Sequence, residues 1–108
     1  MKFKDKTVVV TGSRRGIGLG IALEFAKLGA NVVLNGTREI DAETLAQFDA
    51  YPGEVMTFVG DVSKFDVAEN FINEVKERFG RIDVLVNNAG ITRDGLLMRM
   101  SESDFDDV

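Results

Sequence analysis

The stretch Thr11-Gly12-Ser13-Arg14-Arg15-Gly16-Ile17-Gly18 constrains this chain more than any other, because it lies between a β-branched run, Val8 to Val10, and a helical pattern that begins near Ile17. A strand that ends in a glycine-rich turn and passes straight into a helix leaves the first helical N–H groups unpaired, with the positive end of the helix dipole behind them. Such an end attracts phosphate, and a nucleotide is the natural guest. Each glycine has a separate expected task. Gly12 turns the chain sharply off the strand, Gly16 lets backbone approach a pyrophosphate, and Gly18 lets the helix lie close on the sheet. The spacing is T-G-x-x-x-G-x-G. The dinucleotide pattern G-x-G-x-x-G, begun at Gly16, would need glycine where Ile21 stands, and no G-K-[ST] follows to make a P-loop.

Short apolar runs alternate with helical patterns along the rest of the chain. Thr7 to Val10 reads as a strand buried on both faces. After Ile17, the residues Ile21, Phe25 and Leu28 recur at helical spacing up to the stop at Gly29. Gly20 lies inside this helix at a cost of about 1 kcal/mol against alanine, which close packing would offset. Asn31 to Leu34 is the second strand, left through Asn35-Gly36-Thr37-Arg38. A short helix spans roughly Asp41 to Ala50 with Leu45 and Phe48 inward, closed by Tyr51-Pro52-Gly53, and Val55 to Val59 is the third strand. Beyond Gly60-Asp61-Val62-Ser63 a helix presents Val67, Phe71, Ile72, Val75 and Phe79, with Ser63 or Asp66 as N-cap and Gly80 as terminator.

Ile82 to Val86 is the fourth strand, ending in Asn87-Asn88-Ala89-Gly90, and Ser101-Glu102-Ser103-Asp104 has the form of a capping box opening one more helix. The β-α-β-α-β-α-β alternation implies an α/β fold of three layers and Rossmann type: a parallel sheet in order 3-2-1-4 with helices on both faces. Residues 1–108 form one partial domain on this reading, C-terminally truncated at the start of the helix after strand four. Binding residues are expected at the carboxyl ends of the strands, near the point where strand order reverses.

Composition removes several chemistries. Thirteen Lys+Arg against eighteen Asp+Glu give a net charge of −5, which argues against nucleic acid as a partner. The absence of cysteine and histidine excludes disulfides, a thiol nucleophile, a Ser-His-Asp triad and a zinc site of the usual ligands. No apolar run approaches the roughly 18 residues of a membrane span, and the N-terminus lacks the apolar core of a signal peptide. The expectation is a cytoplasmic protein with no membrane partner.

Thr11-Gly12-x-x-x-Gly16-x-Gly18, followed by Asn87-Asn88-Ala89-Gly90, resembles the short-chain dehydrogenase/reductase family, and the likeness runs over essentially the whole chain. Within that family, Gly90-Ile91-Thr92-Arg93-Asp94-Gly95-Leu96-Leu97-Met98-Arg99-Met100 is similar to the 3-oxoacyl-[acyl-carrier-protein] reductase branch of fatty-acid synthesis. The resemblance implies hydride transfer from NADPH to a ketone, a 3-oxoacyl substrate carried on acyl carrier protein, and a homo-oligomer. It also implies cofactor contacts from Gly12, Ser13, Arg15, Gly16 and Gly18, with Ile17 behind the nicotinamide-side phosphate. Asp61 and Val62 would flank the adenine, and Asn88, Ala89 and Gly90 would line the floor beside the adenosine. Plainer readings stand beside these: Asp61 as a helix-entry cap, Asn87 as a strand-end residue bonding neighbouring backbone, and Met98 and Met100 as apolar packing.

The choice between NAD and NADP follows from charge. An acidic residue at the end of the second strand would hold both ribose hydroxyls and repel a 2′-phosphate, whereas arginine would do the reverse. Here Asn35-Gly36-Thr37-Arg38 carries no carboxylate before Glu39, and Arg15 stands just before the second glycine. Guanidinium forks match phosphate, so the reading is NADP, with Arg15 the main partner, Thr37 and Arg38 beside it, and Arg14 pointing outward.

The family's proton donor is a tyrosine in Y-x-x-x-K, assisted by a serine and an asparagine. The only tyrosine is Tyr51, and the residue four later is Val55. None of the four catalytic residues is expected in this chain. It would hold the cofactor half of a reductase, be inactive alone, and self-associate through an open apolar edge at Val84 and Val86. A non-catalytic NADP(H)-binding module, or another member of the family, is the alternative. A methyltransferase would want an acidic residue after strand two, and Gly36-Thr37 offers none.

Overall fold

The computed structural model describes residues 2–88; Ala89, Gly90, Met98, Met100 and the helix expected from Ser101 lie outside the described residues. Within them the chain runs β1 (Thr7–Val10), α1 (Gly16–Lys27), β2 (Asn31–Gly36), α2 (Ala42–Ala46), β3 (Val55–Val59), α3 (Phe65–Phe79) and β4 (Val84–Val86). The strands form one parallel sheet in the order β3-β2-β1-β4. Val9 at its centre pairs with Val33 on one side and Leu85 on the other.

Right-handed crossovers explain the layers. Stepping from β1 to β2 to β3 in one direction places α1 and α2 on the same face, and the return to β4 places α3 on the opposite one. Alternate strand residues divide to match. Val8, Val10, Val32 and Leu34 pack with Ala22, Ala26 and Phe48. Val9, Val33, Met56 and Phe58 pack with Phe71, Ile72 and Val75 of α3, where the Phe58 and Phe71 rings stack at 4.6 Å between centroids. Burial on both sides explains why Val8 to Val10 and Val32 to Leu34 are continuously apolar, whereas β3 alternates, with Thr57 and Val59 exposed.

α1 buries a different stripe from the expected one. Gly18, Ala22 and Ala26, spaced four apart, form the buried stripe, the alanines against the sheet, while Ile17 is 77% and Leu28 40% exposed. Ile21 and Phe25 pack half-buried along the flank. Small side chains let the helix approach the sheet closely, and the larger ones then fill its sides. Gly20 receives no such packing, since an added Cβ would meet nothing within 4 Å among the described residues.

Other boundaries shift for local reasons. β2 continues through Asn35 and Gly36, which stay in register with Phe58 and Val59. α2 starts where Asp41 Oδ1 accepts the Thr44 N–H at 2.8 Å. It ends early because the chain tightens into i→i+3 bonds, such as Phe48 N–H to Leu45 O at 3.1 Å. Phe48 is buried as expected, and Leu45 is half-buried. α3 follows Lys64 without a side-chain cap: Ser63 bonds Asp61 instead, and Asp66 sits in the first turn. Gly80 closes α3 in the left-handed region, as expected.

β4, like β3, is an outer strand, and its three residues are half-buried. The buried Asp83 carboxylate anchors its start, accepting the Thr7 N–H at 2.7 Å and the Arg81 Nε–H at 2.8 Å.

Candidate functional site

Parallel strands put all their carboxyl ends on one rim, so the loops after β1, β2, β3 and β4 meet there. The loop after β1 turns at Gly12 with φ +60° and again at Gly16 with φ +62°, a region open to glycine at little cost. α1 begins with no side-chain cap and no acidic residue in its first turn. An added Cβ at Gly16 would meet nothing within 4 Å among the described residues. The first turn therefore presents backbone N–H groups to open space, which is what an anionic group requires.

The two sequence motifs adjoin. The Thr11 N–H donates to Val86 O at 3.0 Å, and the Asn88 N–H donates to Thr11 Oγ1 at 2.9 Å. Asn88 Nδ2 then donates to Gly12 O at 3.0 Å. A Cβ on Gly18 would collide with that same carbonyl and with Asn88 Nδ2. Gly18 thus serves the meeting of helix, turn and final loop more than the sheet as a whole. Asn87 holds neighbouring structure, its Oδ1 lying 3.3 Å from the Thr11 hydroxyl.

Between the ends of β1, β2 and β3 lies a cleft of about 490 Å3 lined by Gly12, Arg15, Thr37, Arg38, Asp61 and Val62 from the sequence reading. Arg14, Asn35 and Gly36, from the two strand-end stretches of the sequence reading, line it too, as does Gly60, which lies outside them. Arg14 corrects an expectation directly. Instead of pointing outward it lies over Gly36, where a Cβ would come within 3.0 Å of Arg14 Cβ, and its Nε donates to Glu39 O at 3.3 Å. Three guanidinium groups therefore border the cleft, against one carboxylate among its lining residues.

Asp61 is also the helix-entry residue of the plainer reading. Its Oδ1 accepts the Ser63 hydroxyl at 2.6 Å and the Ser63 N–H at 3.0 Å. These bonds, the hydroxyl's first, hold its carboxyl below the usual aspartate range, and the Lys64 charge pulls the same way. Val62 is buried and joins the core on the α3 side.

Ser13, an expected cofactor contact, has its side chain turned into the protein. It is fully buried, its Oγ donating to Val10 O at 2.6 Å and accepting the Asn35 N–H at 2.8 Å, so it braces the loop from behind. Asn35 lies in a strand-end stretch that the sequence reading named, but the role of its side chain there was not foreseen. A polar side chain closing an otherwise apolar strand, just before a glycine, was the available signal. Ile17 stands exposed on the first turn of α1, while Ala89 and Gly90 fall outside the described residues.

Known proteins share this arrangement. The short chain dehydrogenase family model matches residues 6–108. The chain is 44% identical over 106 residues to 3-oxoacyl-[acyl-carrier-protein] reductase FabG of Staphylococcus epidermidis, covering 96% of this chain and 43% of that protein. It is 40% identical over 109 residues to the Thermotoga maritima protein of the same name, covering 100% and 44%. The chain thus spans less than half the length of these relatives. Among solved structures, a metagenomic short-chain oxidoreductase in complex with NADP matches at TM-score 0.73 and 39% identity, over 84% of this chain and 42% of that one. A 3-oxoacyl-[acyl-carrier protein] reductase from Brucella melitensis in complex with NAD matches at TM-score 0.72 and 36% identity, over 79% and 33%. With the strand order, the glycine turn and the adjoining Asn87-Asn88 all in place, the chain belongs to the short-chain dehydrogenase/reductase family.

Proposed function

We propose that this chain forms the NADPH-binding part of a reductase that converts a 3-oxoacyl group on acyl carrier protein to the 3-hydroxyacyl form. The substrate class rests on similarity to relatives bearing that name. The cofactor rests on the chain's own residues, because its structural neighbours include one with NADP and one with NAD. The observation that carries it is the set of guanidinium groups, Arg14, Arg15 and Arg38, bordering a cleft whose β2 end, Asn35 to Arg38, offers no carboxylate. An NAD site would place an acidic group there for the ribose hydroxyls.

The backbone N–H groups of Gly16, Ile17 and Gly18 take the pyrophosphate, helped by the α1 dipole. Arg15 and Arg38 neutralise the 2′-phosphate, with the Thr37 hydroxyl as a further donor. Asp61 and Val62 flank the adenine, and Asn88 lines the adenosine floor. Ser13 acts through the loop it braces. When bound, the nicotinamide supplies the hydride that reduces the ketone carbon.

Calorimetric titration with NADPH and with NADH tests the reading. NADPH should bind at least about tenfold tighter, a difference of about 1.4 kcal/mol, and Arg15→Ala should remove most of that preference. Tighter binding of NADH would overturn it.

A further inference from the structure

We propose that Asn35 is the positioning residue of the cleft: its carboxamide locks the loop after β1 to the loop after β3, and so sets affinity for the part shared by NADH and NADPH. The inference rests on reading the cleft as a dinucleotide site. Asn35 Oδ1 accepts the Gly12 N–H at 3.1 Å, while Nδ2 donates to Phe58 O at 3.1 Å and to Gly60 O at 3.2 Å. Its backbone completes the clamp, with the Ser13 N–H donating to Asn35 O at 2.7 Å and the Asn35 N–H donating to Ser13 Oγ at 2.8 Å.

β1 and β3 lie on opposite sides of β2 and do not pair with each other. Asn35 joins their ends from the strand between them. The task needs one acceptor and two donors on one short side chain, which a carboxamide supplies and a carboxylate does not. Asn35 is 2% exposed, so each lost partner leaves a buried polar group unsatisfied. The same geometry assigns labour within the glycine turn. The Gly12 N–H is consumed by Asn35, so Gly12 shapes the turn, and the N–H groups of the first turn of α1 face the ligand.

The test measures ADP-ribose, NADH and NADPH binding by calorimetry for the wild-type chain and Asn35→Asp, with amide spectra of both. Asn35→Asp keeps the acceptor for Gly12 but sets an ionised oxygen against two carbonyls. It should weaken all three ligands by a common factor of at least about ten, leaving the NADPH-to-NADH ratio within about twofold. Amide shifts should concentrate at Gly12 and Gly60 and spare Gly80 at the far end of α3. Unchanged ADP-ribose affinity, or a loss confined to NADPH, would overturn the proposal. A wild-type preference for NADH would instead count against the arginine reading and leave the Asn35 outcome readable. Should the variant fail to fold, the wild-type chain decides: its Gly12 amide should exchange at least about tenfold more slowly than its Gly16 amide without ligand, and equal rates would contradict the lock.

Discussion

A few side chains carry the site, and their legibility depended on how local their partners are. Asp61 shows a dual role that one sequence can only suggest. It lines the cleft and, through Ser63, organises the entry to α3. Its folded pKa lies below the unfolded value, so the stability it contributes is fully present above about pH 3.8 and is lost as pH falls through the lower folded value. Thermal melts should therefore show Asp61→Asn losing less stability between about pH 5 and pH 3 than the wild type; parallel acid limbs would contradict this. Asn88 was readable through the family resemblance, and the glycines because spacing reports the demands of a turn and a close approach. Asn35, Ser13 and Arg14 were not, because their partners lie 22 to 25 residues away in sequence. Only the pairing of β1 with β2 and of β2 with β3 brings those partners within reach.

At the scale of elements, hydrophobic runs located every strand and helix among the described residues, while their ends and faces answered to packing. α1 illustrates the difference: its large apolar residues suggested one face, yet Gly18, Ala22 and Ala26 form the buried stripe, the two alanines against the sheet. A residue's size reads directly from the sequence, but the distance between helix and sheet does not. α3 was more transparent because Phe71, Ile72 and Val75, three of the large apolar residues in its periodic pattern, are the ones buried. Phe71 has no exposed surface and stacks on Phe58. Phe71→Ala should cost about 3–5 kcal/mol, read as a lower urea midpoint with an unchanged slope. A loss below about 1 kcal/mol would mean that the α3 layer contributes little to the fold.

For the molecule as a whole, alternation and crossover handedness gave a parallel sheet, the Rossmann pattern gave its strand order, and strand order gave the rim on which the candidate site lies. Tyr51 precedes β3, at the end of the sheet opposite that rim. A five-residue strand of about 17 Å separates it from the cleft, so it is too distant to protonate a ketone held there. The chain of 108 residues should accordingly bind NADPH without oxidising it when given an acetoacetyl thioester; absorbance falling at the rate of a reductase would refute this. The central claim, that a dinucleotide's adenosine end enters between the carboxyl ends of β1, β2 and β3, is tested most directly by an NMR titration of the labelled chain with 2′,5′-ADP. The account predicts shifts concentrated at Gly12 to Gly18, Asn35 to Arg38 and Gly60 to Val62, whereas shifts centred on Gly29, Asn31 and Gly53 at the opposite end of the sheet would contradict it.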